Sequence, residues 1–372
     1  MSFRTLKLGR YTHLSQGAIT TPVADLLCVG GISIVVMVVI SSISLWNFTT
    51  GNPPQDKINF IDLFVLQTLI NWPHFVVSYK LLYAKRDNLT SYPMATLGVP
   101  GVLLLVCLTS LFYGTNADVP AYVVNQQMAY VLWLIAALYL AWHYTGQTWG
   151  MIATFSHLSG LALRPWERHV LRNGLRALIF WHVIWGVETL PKNAFTAPLQ
   201  ADYIMYLANA LAICAFVAGL YVFVRIFARQ GRIDARVLVP WLTVYMWYFV
   251  LFLEPGAYMF VQLSHALQYM IFPARVELNA MRARNPDNPQ LTPAKIGKLL
   301  TYYLITIVCG LGIFYLPDLL IGNTNGLMTI GGMLALAVNI HHYYTDSAIW
   351  KLQNREVRQR LFSHLPQVET CR

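Results

Sequence analysis

PVADLLCVGGISIVVMVVISSISL, residues 22–45, is the stretch that decides the class of fold. A helix rises about 1.5 Å per residue and a bilayer core is about 30 Å thick, so an apolar run of this length crosses once. No small-residue cleavage site follows it, and it is read as an uncleaved first span. Nine further runs follow at approximately 59–83, 95–114, 121–157, 174–190, 201–227, 237–253, 256–274, 299–317 and 327–350. The expectation is an all-α protein, a polytopic membrane helix bundle of about ten transmembrane helices, forming one integral-membrane domain over residues 1–372.

Composition agrees. The chain is 56% hydrophobic and only 11% charged, with a mean hydropathy of +0.49. A soluble chain is about one quarter charged, which argues against a water-soluble enzyme, a disordered tail or a coiled coil. The net charge of +10 is no nucleic-acid signature, because the basic residues sit between apolar runs rather than on one soluble domain. Cys28, Cys107, Cys214, Cys309 and Cys371 are widely spaced, without a C-x-x-C pair, and read as small packing residues rather than as a disulfide framework or thiolate metal site.

Basic residues also orient the bundle, since short loops rich in lysine and arginine stay on the cytoplasmic side. With ten spans and both termini cytoplasmic, 24 of the 26 basic residues fall inside. Only Lys57 and Lys192 fall outside. The tails carry Arg4, Lys7, Arg10 and Arg372, and the inner loops carry groups such as Arg164, Arg168, Arg172 and Arg176. The expected location is a bacterial inner membrane, with the lipid bilayer itself as a partner.

The loops are short. The outer loop 47–57 carries Gly51, Pro53 and Pro54, and Asp62 stands at the start of the second run as a helix-dipole partner. The longest connection, 275–298, contains the turn and helix-start signals Asn285-Pro286, Asn288-Pro289 and Thr292-Pro293. The fourth run is unusual: its 37 residues would extend roughly 55 Å, so it must project, tilt or break. Gly146 and Gly150 are the expected place for a break or a close helix approach.

Polar residues at membrane depth carry the chemistry, because ionisable groups there are costly unless they face the bundle interior. His74, His143, His182, His265 and the adjacent pair His341 and His342 fall in the middle or inner half of five different runs. Helical spacing gives them companions: Gln67 and Asn71 share a stripe with His74, and Gln147 lies one turn from His143. Gln262, Gln268 and Tyr269 lie on the side of His265, and Asn339 and Asp346 on that of His342, with His341 turned about 100° away. Pro73 also frees the carbonyl one turn earlier. Imidazoles brought to one level by several helices suit a transition metal, so all six histidines are candidate ligands. Asp346, Gln147 and Tyr269 are the candidate catalytic side chains beside them. Non-haem iron is the preferred cofactor for oxygen chemistry on an apolar substrate, with another transition metal or haem as alternatives. Each histidine has a plainer reading as a hydrogen-bonding bridge between helices.

Three stretches carry a resemblance. Trp72-Pro73-His74-Phe75, Trp142-His143-Tyr144-Thr145-Gly146-Gln147 and residues 341–351 look like segments of uncharacterised bacterial multi-span membrane proteins. The second also resembles the bacterial membrane β-carotene-cleaving dioxygenases, over less than a tenth of the chain. That resemblance implies non-haem iron held between histidines of several spans and an isoprenoid substrate. The paired-histidine segment of that family has no counterpart, since His182 is followed by Val183-Ile184-Trp185-Gly186. The multiple histidine boxes of membrane desaturases are missing as well.

Three functions compete on these grounds. The first is a membrane metal-dependent oxygenase or oxidase acting on an apolar, lipid-like small molecule, with a reductase or other electron donor as a possible partner. The second is a transporter or proton-coupled carrier using the same histidines and Asp346. The third is a haem-binding electron-transfer subunit.

Overall fold

Ten long helical runs and several short ones make up the computed structural model, which describes residues 17–50, 63–114, 124–190, 192, 197–200, 202–284, 292–321 and 330–365. No strand occurs among the described residues. Lys57 and the loop residues Gly51, Pro53 and Pro54, Asp62, the Asn285-Pro286 and Asn288-Pro289 turns, Cys371, and the tail residues Arg4, Lys7, Arg10 and Arg372 lie outside them.

In chain order, α1 joins Pro22–Leu26, Leu27–Gly31 and Ile32–Thr50. Next, α2 joins Leu63–Leu66, Gln67–Asn71 and Trp72–Tyr83, and α3 joins Met94–Gly98 and Val99–Gly114. Then come α4 (Gln126–Leu158), α5 (Pro165–Glu188), α6 (Asp202–Gln230) and α7 (Ala235–Leu253). The remainder are α8 (Tyr258–Arg284), α9 (Pro293–Phe314), α10 (Ile330–Ile349) and the short α11 (Arg355–Phe362). The starts follow ordinary capping chemistry. Thr21 before Pro22, Asn125 before Gln126 and Thr292 before Pro293 each accept a backbone N–H of the first turn.

Each expected run is a helix, but several boundaries move. Helix α5 begins at Pro165 rather than 174, and α9 at Pro293 rather than 299. Counting apolar residues finds the part of a helix suited to lipid and misses the polar turns beyond it. The fourth run corrects a second expectation. Helix α4 is continuous for 33 residues, about 50 Å, with no break at Gly146 or Gly150. A Cβ on either glycine would meet nothing within 4 Å, so no helix approaches them closely. A glycine costs a helix about 1 kcal/mol relative to alanine, too little to interrupt so long a hydrogen-bond ladder.

Six helices are long and apolar enough to cross a membrane: α1, α3, α4, α6, α7 and α9. They give the protein the character of an integral membrane protein. The other four, α2, α5, α8 and α10, are less apolar; they carry His74, His182, His265, and the pair His341 and His342, and α5 and α8 also carry several arginines. Helix α4 packs against α5, α7 and α10. Helix α2 touches α8, α9 and α10, while α1 lies against α7 and α8. The result places α2, α4, α8 and α10 around the centre, whereas α6 and α9 turn residues such as Val217, Val224, Leu304 and Val308 outward.

Three helices contain a one-turn π segment: Leu27–Gly31 in α1, Gln67–Asn71 in α2 and Met94–Gly98 in α3. Such bulges redirect backbone carbonyls. Here each provides one to a polar side chain: Val29 accepts from Gln268 at 2.7 Å, Asn71 contacts Nδ1 of His74 at 2.5 Å, and Ala95 contacts Nε2 of His341 at 2.8 Å. The carbonyl of Leu69, one turn before Pro73, accepts the Tyr303 hydroxyl from α9. The freed acceptor expected before that proline is therefore used between helices.

Both ends of the described chain meet at one end of the bundle. The His364 ring contacts the Ala18 carbonyl at 2.9 Å, and Arg236 and Arg275 donate to the carbonyls of Gly17 and Ile19. Lys85 pairs with Glu356 at 2.8 Å, tying the end of α2 to α11, and Arg229 pairs with Glu167 at 2.5 Å between α6 and α5.

Candidate metal centre

Four imidazoles converge at the centre of the bundle. His74 of α2, His143 of α4, His265 of α8 and His342 of α10 are all buried, and each offers one ring nitrogen within 4.8 Å of the others. Four helices are required to build this cluster. His143 and His265 bring their Nε2 atoms to 2.9 Å. The centroid of the His74 ring is 4.6 Å from that of His342 and 5.4 Å from that of His265.

The surroundings fix these rings. Nδ1 of His74 donates to the Asn71 carbonyl exposed by the π turn, which leaves Nε2 as its free lone pair. The His143 ring stacks on Tyr343 with centroids 5.0 Å apart, and the His265 ring lies 4.5 Å from that of Tyr144. Gln147 donates to the His265 carbonyl at 3.2 Å and to Gln268 at 3.4 Å, and Gln268 in turn donates to Val29. Asn71 donates to Gln67 at 2.6 Å, so that stripe supports His74 through backbone rather than amide contacts.

Asp346 lies one helical turn beyond His342. Its Oδ2 stands 3.5 Å from Nε2 of His342 and 3.8 Å from Nε2 of His143. Its Oδ1 accepts from the Tyr269 hydroxyl at 3.3 Å, and that oxygen is also within 2.8 Å of the Ser78 hydroxyl and accepts from Trp350 at 2.9 Å. Asp346, Gln147 and Tyr269 thus all adjoin the cluster.

A chemical test separates a metal site from a polar core. Buried polar atoms are normally paired, and an unpaired one costs about 1–3 kcal/mol. Here Nε2 of His74, the lone-pair nitrogen of His342 and Oδ2 of Asp346 are buried with no hydrogen-bond partner. A cation accounts for lone pairs left bare in one place. Metal–nitrogen bonds of about 2.1 Å meeting near a right angle hold two nitrogens about 3.0 Å apart. The 2.9 Å between His143 and His265 fits two neighbouring ligands of one ion. An all-imidazole donor set suits iron, zinc, copper or nickel rather than calcium or magnesium.

Two predicted ligands are not brought to this centre. Nε2 of His341 is engaged by the Ala95 carbonyl, and its ring stacks on Tyr79 with centroids 5.0 Å apart. The 100° between neighbouring residues of a helix sends it toward α3 instead. His182 packs among Tyr144, Trp185 and Tyr248, beyond the ring of four. Asn339 accepts from Tyr343 at 2.8 Å rather than reaching His342. Ser78 and Trp350 were not anticipated as site residues. Ser78 follows His74 by one turn and extends its polar stripe, a signal present in the sequence; Trp350 reads there as an interfacial anchor.

A cavity of about 580 Å³ opens beside the cluster, with His143, Asp346, Tyr269 and Gln147 in its wall. Trp142 and Gly146 on α4 line it and are exposed at its side. Comparison of the chain with protein-family models, with curated proteins and with solved structures finds no match.

Proposed function

We propose that this protein is an integral-membrane, metal-dependent oxygenase or oxidase acting on an apolar, lipid-like substrate, with non-haem iron as its metal. The observation that carries the reading is the group of four buried imidazoles within 4.8 Å of one another beside a 580 Å³ cavity. His74, His143, His265 and His342 would hold the ion, which when bound supplies redox chemistry with dioxygen. The chain's own residues do the rest. Asp346, whose Oδ2 faces the Nε2 atoms of His342 and His143, balances the charge of the site. Tyr269, held by Ser78, Asp346 and Trp350, keeps a hydroxyl hydrogen at the cavity wall. The aromatic rings around the imidazoles exclude water. Trp142 and Gly146, exposed at the side of the cavity, favour substrate entry from the bilayer.

The wider proposal has all ten long helices crossing a bacterial inner membrane, with both termini cytoplasmic. An isoprenoid chain is one substrate of suitable character, following the resemblance of the Trp142-to-Gln147 segment. A reductase is a further partner if the reaction consumes external electrons. Haem is disfavoured, because rings with centroids 4.6–5.4 Å apart leave no flat slot for a macrocycle.

Elemental analysis of detergent-purified protein tests the reading. About one iron per chain is expected, lost in His143→Ala and His342→Ala and retained in His182→Ala. Oxygen uptake should then depend on added lipid. Absence of stoichiometric iron, copper or zinc, with the same content in His143→Ala, would sink the proposal.

A further inference from the structure

The cavity beside the imidazoles is not uniformly apolar. Along α4 its wall runs from His143 past Gly146 and Gly150 to Thr154, a rise of about 16 Å. At the His143 level it meets Asp346 and Tyr269. Further along, Arg172 and Arg176 of α5 and Lys351, just beyond α10, enter the wall. Helix α5 runs opposite to α4, so its earlier residues stand beside the later residues of α4; Lys351 likewise follows Asp346 by more than one turn. The cations therefore stand along the wall beyond the cluster, Arg172 further from it than Arg176.

These three cations are exposed, and no carboxylate among the described residues pairs with any of them. Arg176 donates to the side-chain oxygen of Asn173 at 3.0 Å. Between the two ends, the open space over Gly146 and Gly150 makes a groove that a side chain would fill. Trp149, Phe272 and Trp350 add apolar walls. Like charges facing one cavity at a low-dielectric edge repel, and an anion between them relieves this with charge-assisted hydrogen bonds.

We infer that the substrate is a single-chain amphipath with an anionic head, a carboxylate or a phosphate, held by Arg172, Arg176 and Lys351 while its apolar chain passes Gly146 and Gly150 to the histidines. This deepens the enzymatic reading and rests on it for the word substrate; the binding site itself does not depend on metal.

The test uses the full chain in non-ionic detergent and tryptophan quenching by dibromostearate, since Trp142, Trp149 and Trp350 line the cavity. Saturable quenching is expected, displaced by oleate or by oleoyl lysophosphatidate and about tenfold less well by oleyl alcohol. Displacement by the carboxylate, the phosphate or both supports the inference and identifies the head. The double variant Arg172→Gln/Arg176→Gln should weaken binding about tenfold or more without changing metal content, and Gly146→Leu should abolish it. Equal displacement by oleyl alcohol on the unaltered protein overturns the inference, as does unchanged affinity in the double variant. Selective anion binding by a protein without stoichiometric metal would remove the oxygenase reading and leave this site standing; metal with no head-group selectivity would do the reverse.

Discussion

Asp346 has one oxygen held and the other bare. Tyr269 donates to Oδ1, while Oδ2 faces the Nε2 atoms of His342 and His143 with no hydrogen-bond partner. A carboxylate facing the ligating nitrogens supplies countercharge to the ion, and loss of a group supporting a metal site typically lowers metal affinity 10- to 100-fold. Asp346→Asn is accordingly expected to weaken metal retention by about that factor, read by chelator competition, with helix content unchanged. His341→Gln should keep its metal, because the His341 ring is bound to Ala95 rather than to the cluster. These two expectations mark how far the site was legible from sequence. Depth in the apolar runs and i, i+4 spacing select His74, His143, His265, His342 and Asp346. Spacing alone does not say which of two adjacent histidines faces the centre, nor that His182 packs among aromatic rings, since both depend on how each helix is rotated against its neighbours.

Among the helices, glycines serve opposite purposes. A Cβ on Gly219 of α6 would come within 2.6 Å of the Trp241 ring, and one on Gly186 of α5 within 2.5 Å of Trp133. Overpacking of this kind costs about 1–3 kcal/mol, so Gly219→Val should lower the thermal unfolding midpoint in detergent. Gly146→Ala, in open space on a continuous helix, should instead raise it slightly, by up to about 1 kcal/mol of helix propensity. The sequence presents these glycines as equivalent small residues, and only their neighbours distinguish them. The π turns were equally hidden. Each inserts a residue that shifts the helical phase, as at Gln67–Asn71 before His74, and hydropathy carries no trace of it. Helix α11 adds a pH-dependent element. The Lys85 ammonium, followed by Arg360, holds the Glu356 carboxyl below its usual value. The stabilisation from these pairs is complete above the ordinary carboxylate range and is lost as pH falls through the lowered value. Hydrogen-exchange protection factors across residues 355–362 should therefore fall in acid, and in Glu356→Gln they should be low already at neutral pH.

At the scale of the whole molecule, the meeting of Ala18 with His364 requires the described chain to return to the end where it started. Arg236 and Arg275 donate to backbone carbonyls at that same end. In a variant stripped of native cysteines, Gly231→Cys and Asn354→Cys should react with an impermeant maleimide only in inside-out vesicles, and Lys192→Cys in intact cells. Labelling of Asn354→Cys in intact cells would reverse the proposed orientation. The all-helical, membrane-suited architecture was the most legible layer, because the length of apolar runs is a property of the chain itself. The placement of polar side chains on long helices bears on biogenesis as well. A nascent α10 with Asn339, His341, His342 and Asp346 is a poor client for spontaneous partition into lipid. Its insertion therefore depends on helices made before it, and the four-histidine cluster closes only once α10 has packed against α2, α4 and α8.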